Sequence, residues 1–369
     1  MLRRKIKVII SGGGTGGHIF PAIAIANELK QVNQENEILF VGANKRMEME
    51  KVPAAGFTIE GLNISGIQRK LTLSNFMIPL KVISSVMKAK KIIKRFQPDA
   101  AVGVGGYASA PLLYAATSLK IPSLIQEQNS YAGITNKILS KRVQKICVAY
   151  EGMDTYFPKE KIIMTGNPVR QEFNQVNEKR TEALSYFRLL PEKKTVLVIG
   201  GSLGARTINE SIAAVWLRWQ EKNIQLIWQT GKLFYPEAKT LTAGPEEKGV
   251  RVFEFIQRMD LAYAAADIVV SRAGASSVSE LELVAKPAIL VPSPNVAEDH
   301  QTKNALALVM KDAAILVKDS EAKEKLGSTV IELMNDETRQ KQLAVNIAKL
   351  AITNSAQKIA DEIYKMIEA

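Results

Sequence analysis

Short apolar runs recur along the chain, and each is followed by a glycine-rich turn and then by a segment with helical periodicity. Near-continuous apolar runs of four to seven residues predict strands of a parallel sheet that is buried on both faces. In the first half of the chain these runs are Lys5–Ser11, Ile38–Gly42, Ala100–Gly103, Ser123–Glu127 and Lys145–Ala149. Helical patterns lie between them, for example at Ala22–Val32 and Leu112–Leu119.

The alternation pauses around Thr165–Pro168, and a polar stretch follows up to about Lys194. A second series of apolar runs then comprises Thr195–Ile199, Gln225–Trp228, Val250–Phe255, Ile268–Ser271, Ala288–Val291 and Ile315–Lys318. Two successive series predict an α/β protein with two doubly wound Rossmann-like domains, whose ligands bind at the carboxyl ends of the strands. We expect residues 1–166 to form the first domain and residues 167–354 the second. The amphipathic segment Gln357–Ile367 predicts a helix, and we expect residues 355–369 to complete the first domain.

The composition is that of a globular protein, with 369 residues of which 46% are hydrophobic and 23% charged. No stretch approaches the roughly 20 apolar residues of a transmembrane helix, and the N-terminus does not resemble a signal peptide. These features predict a cytoplasmic location. The single cysteine, Cys147, lies in an apolar run, so we expect it to be buried.

The net charge of +12 is unevenly distributed. Residues 1–168 carry 23 Lys and Arg against 11 Asp and Glu, whereas residues 169–369 carry 26 of each class. An anionic partner is therefore expected to meet the first half. The segment Gly61–Pro98 is the most basic, with eight Lys and Arg and no acidic residue.

Five loops that follow predicted strands are rich in glycine or small polar residues. They are Ser11–His18, Gly103–Ser109, Gly200–Arg206, Ser271–Glu280 and Pro292–His300. Glycines let the backbone approach a phosphate closely, and a helix N-terminus offers unpaired N–H groups and a favourable dipole. Such loops in both halves indicate that each half meets a phosphate-bearing ligand, as in a two-substrate transferase.

Several other functions are disfavoured by what the motifs lack. Gly42-Ala43-Asn44 stands where a dinucleotide-binding domain would carry an acidic residue, and no P-loop sequence occurs. The chain has no Asp-x-Asp sequence, and its two histidines are far apart. We therefore expect no metal and no cofactor. A departing diphosphate would be stabilised instead by helix N-termini and by arginines, for which Arg170, Arg206 and Arg272 are candidates.

The order and spacing of these motifs resemble the MurG family of GT-B glycosyltransferases. The motifs are Gly-Gly-Thr-Gly-Gly-His18, Gly-Gly-Tyr107, Glu127-Gln-Asn129, Gly166-Asn-Pro-Val-Arg170, Gly-Gly-Ser202-Leu-Gly-Ala, Arg272-Ala-Gly-Ala-Ser-Ser-Val-Ser-Glu280 and His300-Gln-Thr-Lys-Asn-Ala305. Leu203 and His300 stand where some members carry glutamine. The resemblance implies two domains facing a cleft and an inverting transfer of N-acetylglucosamine from its UDP donor. The acceptor would be lipid I, an undecaprenyl-diphosphate-linked N-acetylmuramyl pentapeptide, and the product lipid II for peptidoglycan synthesis.

The resemblance also implies which residues bind each substrate. Glu280 would hold the ribose hydroxyls, backbone groups of Ile256 would meet uracil, and Gln301 and Asn129 would bind sugar hydroxyls. The remaining donor contacts would be Thr15, Gly16, Gly17, Arg170, Ser202, Ala275, Ser276, Ser277, Val278 and Ser279. The acceptor diphosphate would lie against Gly13, Gly14, Gly105, Gly106 and Tyr107.

His18 is the candidate base, because an acceptor hydroxyl must lose its proton as it attacks and an imidazole titrates near neutral pH. The alternative is a histidine that only binds substrate or shapes the loop. For His300 we favour a role in binding or helix capping.

The basic segment Gly61–Pro98 has two interpretations. Leu80, Ile83, Val86 and Met87 recur at helical spacing among lysines, which is typical of a surface helix with a solvated basic face. The resemblance favours an apolar lip with a basic rim on the anionic inner surface of the cell membrane, with shallow insertion of Leu73, Phe76 or Ile78. The protein would then be a peripheral protein of the cytoplasmic face.

Three other functions stay open on these residues. A different GT-B enzyme, such as a UDP-N-acetylglucosamine epimerase or a glycolipid synthase, would share the nucleotide site. A nucleotide-sugar sensor would keep that site without a base, which the presence of His18 disfavours. A nucleic-acid-binding protein would explain the charge, but the chain has no recognition motif and only 6% aromatic residues. No nucleic-acid partner is therefore expected.

Overall fold

A computed structural model describes residues 3–64, 78–169, 173, 176, 178–201, 204–244 and 249–368, apart from the side chains of residues 78, 79 and 297. The chain divides into two compact units. Unit 1 comprises Met1–Val169 together with Ile352–Ala369, and unit 2 comprises Arg170–Ala351.

Unit 1 is built on a seven-stranded parallel sheet in the order β3-β2-β1-β4-β5-β6-β7. Its strands are β1 (Lys7–Gly12), β2 (Glu37–Ala43), β3 (Thr58–Leu62), β4 (Ala100–Gly105), β5 (Ser123–Glu127), β6 (Lys145–Val148) and β7 (Ile162–Met164). Its helices are α1 (Gly16–Val32), α2 (Glu48–Ala54), α3 (Ile78–Phe96), α4 (Ser109–Ser118), α5 (Ile134–Leu139) and, from the end of the chain, α14 (Ser355–Glu368).

Two apolar clusters cover the two faces of this sheet. Side chains alternate between the two faces along a strand, so Val8 and Ile10 of β1 lie on one face and Ile9 lies on the other. The first face packs on α1 and α14, with Leu29 and Tyr364 among the buried residues. The second face packs on α3 and α4. The C-terminal helix thus belongs to the core of unit 1.

Unit 2 is built on a six-stranded parallel sheet in the order β10-β9-β8-β11-β12-β13. Its strands are β8 (Lys194–Ile199), β9 (Ile224–Gln229), β10 (Val250–Phe253), β11 (Ile268–Ser271), β12 (Ala288–Leu290) and β13 (Ile315–Leu316). Its helices are α6 (Arg180–Tyr186), α7 (Arg206–Glu221), α8 (Tyr235–Leu241), α9 (Met259–Ala265), α10 (Ala275–Val284), α11 (His300–Val309), α12 (Ala322–Asn335) and α13 (Glu337–Ala348). One face buries Trp216, Trp219 and Trp228 with α7 and α12.

The prediction of two doubly wound α/β domains is confirmed, and every predicted apolar run overlaps a strand. The sequence pattern missed β3 and β7, which form the two edges of the unit 1 sheet. Edge strands are covered less completely, so their sequences carry a weaker apolar signal. The helical pattern predicted at Ala22–Val32 begins too late, because α1 already begins at Gly16.

Part of the predicted membrane lip lies outside the described residues, including Leu73 and Phe76. Among the helices that the structure describes, none is long and apolar enough to cross a membrane.

Candidate functional site

Each sheet has one position where strands that are not consecutive in sequence lie side by side. In unit 1 these neighbours are β1 and β4, and in unit 2 they are β8 and β11. The order of the strands reverses there, and the carboxyl end of the sheet at such a reversal commonly binds ligands. Four of the five glycine or small-residue loops follow these strands.

In unit 1 the loops after β1 and β4 contact each other through their backbones. The amide of Gly13 donates a hydrogen bond of 3.3 Å to the carbonyl of Gly105. A side chain at Gly106, whose φ is +88°, would overlap the carbonyl of Gly13. Glycine is therefore required at this contact for both conformation and space.

His18 lies against this contact, as the third residue of α1 rather than in the preceding loop. Its Nδ1 atom is 3.0 Å from the carbonyl oxygen of Gly13. A carbonyl can only accept, so Nδ1 carries the hydrogen, and the neutral ring then has its lone pair on Nε2. A Cβ atom at Gly105 would lie 2.8 Å from Nε2, so the ring packs closely on that glycine.

The N-terminus of α1 supplies the other residues predicted from the first loop. Thr15 is the residue before the helix, and its carbonyl accepts the amides of His18 and Ile19. The N–H groups of Gly16 and Gly17 belong to the first turn, where an α-helix has no internal acceptors. Tyr107, after β4, is 46% exposed. The structure thus brings the predicted residues of the first two loops together at the carboxyl ends of the central strands β1 and β4.

Asn129 follows β5, and it is oriented by a buried carboxylate. The backbone N–H and the Nδ2 atom of Asn129 both donate to Oε1 of Glu127, at 3.1 and 3.2 Å. The other oxygen accepts from Asn136 Nδ2 at 2.9 Å and from the amide of Gly133 at 3.0 Å. The motif Glu127-Gln-Asn129 in the sequence indicated no separate role for Glu127.

In unit 2 the loop after β11 leads into the N-terminus of α10. Ala275, Ser276 and Ser277 form its first turn, where backbone N–H groups have no acceptor within the helix. The Oγ atom of Ser276 is buried and has no hydrogen-bond partner among the described residues. A buried hydroxyl without a partner is costly, and this one stands beside the first-turn N–H groups of α10. Val278 and Ser279 continue the turn and are buried.

Glu280 lies one turn further along α10, where it contacts a buried tyrosine. Its Oε2 atom accepts a hydrogen bond of 3.0 Å from the hydroxyl of Tyr263. Tyr263 is 1% exposed, and its ring packs edge-to-face on Phe173 at 5.5 Å. Sequence reasoning missed Tyr263, because an aromatic residue in an apolar helix such as α9 has the same pattern as any core residue.

Glutamine side chains hold two further predicted residues. The amide of Ile256, after β10, donates to Gln229 Oε1 at 2.8 Å. The Oε1 atom of Gln301, in the first turn of α11, accepts from the amide of Ser293 at 2.8 Å. Gln301 therefore orders the fifth loop while its amide nitrogen remains a donor.

The arginines differ in their environments. Arg272 donates to the carbonyls of Val291 and Pro292 and pairs with Asp319 at 2.5 Å. This side chain therefore ties the fifth loop to the sheet. Arg206 is exposed and pairs with Glu210. Arg170 and Ser202 lie outside the described residues.

The remaining potentially reactive groups are the cysteine, the second histidine and any cluster of potential metal ligands. Burial raises the pKa of the Cys147 thiol to about 12, so it stays protonated at neutral pH. His300 lies 3.8 Å from Glu298. Within the described part of the chain, no group of three or more His, Cys, Asp and Glu could hold a metal ion.

Two family models match the two halves of the chain. The glycosyltransferase family 28 N-terminal domain matches residues 8–148, and the glycosyltransferase family 28 C-terminal domain matches residues 195–363.

Full-length relatives agree with these matches. Proteins from Parabacteroides distasonis and Flavobacterium psychrophilum are each 55% identical, over 365 and 367 residues, which covers 99% of this chain and 99% of each relative. Both are named UDP-N-acetylglucosamine--N-acetylmuramyl-(pentapeptide) pyrophosphoryl-undecaprenol N-acetylglucosamine transferase.

Solved structures show the same GT-B fold. The crystal structure of Acinetobacter baumannii MurG is 30% identical with a TM-score of 0.77, covering 98% of this chain and 100% of that one. A UDP-N-acetylglucosamine 2-epimerase, at 14% identity and a TM-score of 0.63, shares the fold over 98% of this chain and 96% of its own. On these similarities the chain belongs to glycosyltransferase family 28 and, within it, to the family of the MurG N-acetylglucosamine transferases.

Proposed function

We propose that this protein transfers N-acetylglucosamine from UDP-N-acetylglucosamine to lipid I and so makes lipid II for peptidoglycan. The names of its full-length relatives describe this reaction. The structural observation that carries the proposal is the buried, unpartnered hydroxyl of Ser276 at the N-terminus of α10, one turn before Glu280. A helix N-terminus followed by a carboxylate suits a nucleoside diphosphate, whose phosphates need donors and whose ribose needs an acceptor.

In unit 2 the donor would bind as follows. The β-phosphate accepts from Ser276 Oγ and from the amides of the first turn of α10, with Ala275 and Ser277 alongside. Glu280 accepts hydrogen bonds from the ribose hydroxyls. The backbone N–H of Ile256 already donates a hydrogen bond to Gln229. Uracil would therefore meet the backbone carbonyl of Ile256. Arg170, Ser202 and Gln301 stay predictions as further ligands of the diphosphate and the sugar.

The transfer itself needs a base for the acceptor hydroxyl. The Nε2 lone pair of His18 takes the proton of that hydroxyl while its oxygen attacks the anomeric carbon of N-acetylglucosamine. The bond from that carbon to the β-phosphate oxygen breaks, and UDP leaves with the bonding electron pair. Attack opposite the leaving group inverts the anomeric configuration. Helix N-termini stabilise the charge that develops on UDP.

The acceptor diphosphate is assigned to unit 1. The N-terminus of α1 lies beside these loops and suits an anion. Gly13, Gly14, Gly105 and Gly106 stay predictions as contacts of the diphosphate, although the amides of Gly13, Gly14 and Gly105 already donate to Gly105, Glu48 and Ser109 within the protein. Thr15, Gly16 and Gly17 stay predictions as contacts of the donor sugar. Tyr107, which is half-exposed, would contact the same acceptor. Asn129 stays a prediction as a ligand of the sugar.

We further propose that the enzyme acts as a peripheral protein on an anionic membrane surface of the cytoplasmic side. The support is α3, where Leu80, Ile83 and Met87 are each at least 58% exposed among exposed lysines. An apolar surface with a basic rim suits anionic lipid.

The decisive experiment incubates the purified protein with radiolabelled UDP-N-acetylglucosamine and lipid I in anionic vesicles. The proposal expects label to move into the lipid fraction together with release of UDP. A parallel reaction without lipid I tests for epimerisation of the donor. Turnover of donor alone, with no label in lipid, would refute the proposed transfer and indicate a different enzyme of the same fold.

A further inference from the structure

A buried glutamate holds the backbone of the first glycine loop. Glu48 is the first residue of α2 and is 1% exposed. Its Oε2 atom accepts a hydrogen bond of 2.9 Å from the amide of Gly14, and its Oε1 atom accepts one of 3.0 Å from the amide of Ala43. One carboxylate therefore joins the loop after β1 to the end of the neighbouring strand β2.

The chain makes room for this carboxylate with two glycines. A Cβ atom at Gly13 would overlap the carboxylate of Glu48, and one at Gly42 would lie 2.6 Å from its Cγ atom. Burying a carboxylate is costly unless hydrogen bonds compensate for lost hydration. The two N–H donors supply charge-assisted hydrogen bonds of this kind.

The peptide that Glu48 holds is also the peptide that holds His18. The amide of Gly14 and the carbonyl of Gly13 belong to one planar peptide group. Glu48 accepts from its N–H, and Nδ1 of His18 donates to its C=O at 3.0 Å. Hydrogen bonds in such a chain polarise one another, so the carboxylate strengthens the carbonyl as an acceptor and fixes its direction.

We propose that Glu48 is a positioning residue for the transfer reaction, which acts on His18 through the Gly13–Gly14 peptide. The carboxylate keeps the imidazole hydrogen on Nδ1 and so keeps Nε2 as the proton acceptor. This proposal rests on the proposed function, since it assigns Glu48 to the base of that reaction. In catalytic triads a carboxylate contacts Nδ1 of the histidine directly and fixes its orientation. Here the Gly13–Gly14 peptide group lies between the carboxylate of Glu48 and the ring of His18.

Replacement of Glu48 by glutamine isolates the carboxylate. Glutamine has the same shape, but its NH₂ group cannot accept from a backbone amide, so one of the two hydrogen bonds is lost. The matched control is E50Q, which makes the same chemical change on an exposed residue of the same helix. UDP affinity should be unchanged in both variants, because the nucleotide is assigned to unit 2.

A double-mutant cycle with H18A tests whether Glu48 acts through His18. E48Q is expected to lower kcat by about tenfold in the wild-type background, the usual effect of losing one charged hydrogen bond, without raising the KM for UDP-N-acetylglucosamine. In the H18A background the same change should lower the residual single-turnover rate by less than about twofold. An equal loss in both backgrounds would show a purely structural role and overturn the proposal.

A spectroscopic measurement tests the same link without turnover. The chain has two histidines, His18 and His300, so a sample with ¹⁵N-labelled histidine gives two sets of imidazole signals, which H18A assigns. E48Q should change the ¹⁵N shifts of His18 and leave those of His300 unchanged, while E50Q alters neither. Unchanged His18 signals in a folded E48Q protein would overturn the proposal. Absence of transfer by the wild-type enzyme would instead refute the proposed function, and the histidine spectrum would still test Glu48.

Discussion

The hydroxyl of Tyr263 donates a hydrogen bond of 3.0 Å to Oε2 of Glu280, which joins α9 to α10 through a buried side chain. Because the tyrosine ring is fixed by packing on Phe173, the carboxylate is held in one orientation before a nucleotide binds. Preorganisation of this kind reduces the entropy lost on binding. A residue with no proposed contact to UDP is thus expected to contribute to its affinity.

Removal of either partner should weaken UDP binding by different amounts. Y263F deletes the one hydrogen bond and should raise the Kd for UDP by about tenfold, whereas E280A also removes the ribose contact and should cost about 1.5–3 kcal/mol. Isothermal titration calorimetry measures both. Y186F, at an exposed tyrosine of the same unit, is the control. Unchanged affinity for UDP in a folded E280A protein would remove Glu280 from the site.

The stability of unit 2 should depend on pH through Glu282. Burial raises the pKa of this carboxyl from about 4.5 to about 8, with Lys311 acting weakly in the opposite direction. Below pH 4.5 the Glu282 carboxyl is protonated in both the folded and the unfolded chain, so it does not change the free energy of unfolding. Between pH 4.5 and 8 this carboxyl ionises in the unfolded chain but stays largely protonated in the folded one. The free energy of unfolding therefore decreases as pH rises.

E282Q should therefore raise Tm relative to wild type at pH 8 by a few degrees and change it little at pH 4.5. Differential scanning calorimetry at both pH values makes the comparison. E332Q, at an exposed glutamate of α12, should leave Tm within about a degree of wild type at both pH values. A Tm difference for E282Q that is the same at pH 4.5 and pH 8 would contradict the raised pKa.

Transfer is expected to proceed without a divalent metal. The protein itself offers hydrogen-bond donors for the departing diphosphate, at the N-terminus of α10 and in the buried hydroxyl of Ser276. Initial rates measured with excess EDTA should match those without chelator, because helix N-termini need no ion to act. Loss of activity in EDTA that added magnesium restores would show that a metal site exists.

Much of the fold could be predicted from local pattern. Central strands such as β1 and β8 are buried on both faces, so their sequences are almost purely apolar and easy to recognise. The edge strands β3 and β7 lacked that signal. The start of α1 was also misjudged, since glycines are poor helix formers and Gly16 and Gly17 are placed in the first turn of α1 by tertiary structure.

Much of the candidate site could not be predicted, because its contacts join residues far apart in sequence. Glu48 and Gly14 are separated by 34 residues, and Tyr263 and Glu280 by 17. In the sequence, Glu48 looks like an ordinary charge at the start of a helix, and Tyr263 looks like an ordinary core residue of an apolar helix. Only the fold shows that each touches a residue proposed to meet substrate.

Helix α3 has one buried face and one exposed face. Ala89, Ile92 and Ile93 are buried in unit 1, whereas Leu80, Ile83 and Met87 are exposed. Lys88, Lys91 and Lys94 are exposed along the same helix, and Lys88 also donates to the carbonyl of Gly61 at 2.7 Å. Arg95 pairs with Glu60, so part of the basic charge is already neutralised within the protein.

Reversal of charge at Lys88, Lys91 and Lys94 to glutamate should release the protein from anionic vesicles and leave the Kd for UDP unchanged. Each basic residue near an anionic surface contributes roughly 1 kcal/mol, and salt screens the attraction within about 8 Å at physiological ionic strength. The same triple reversal at the exposed residues Lys222, Lys341 and Lys349 of unit 2 changes the net charge equally and should leave vesicle binding largely intact. Co-sedimentation at rising salt measures both variants, and transfer to vesicle-embedded acceptor should slow more than transfer to a soluble short-chain analogue. Binding that persists at high salt, or in the variant reversed on α3, would refute the electrostatic contribution and leave the exposed apolar residues of α3 as the membrane contact.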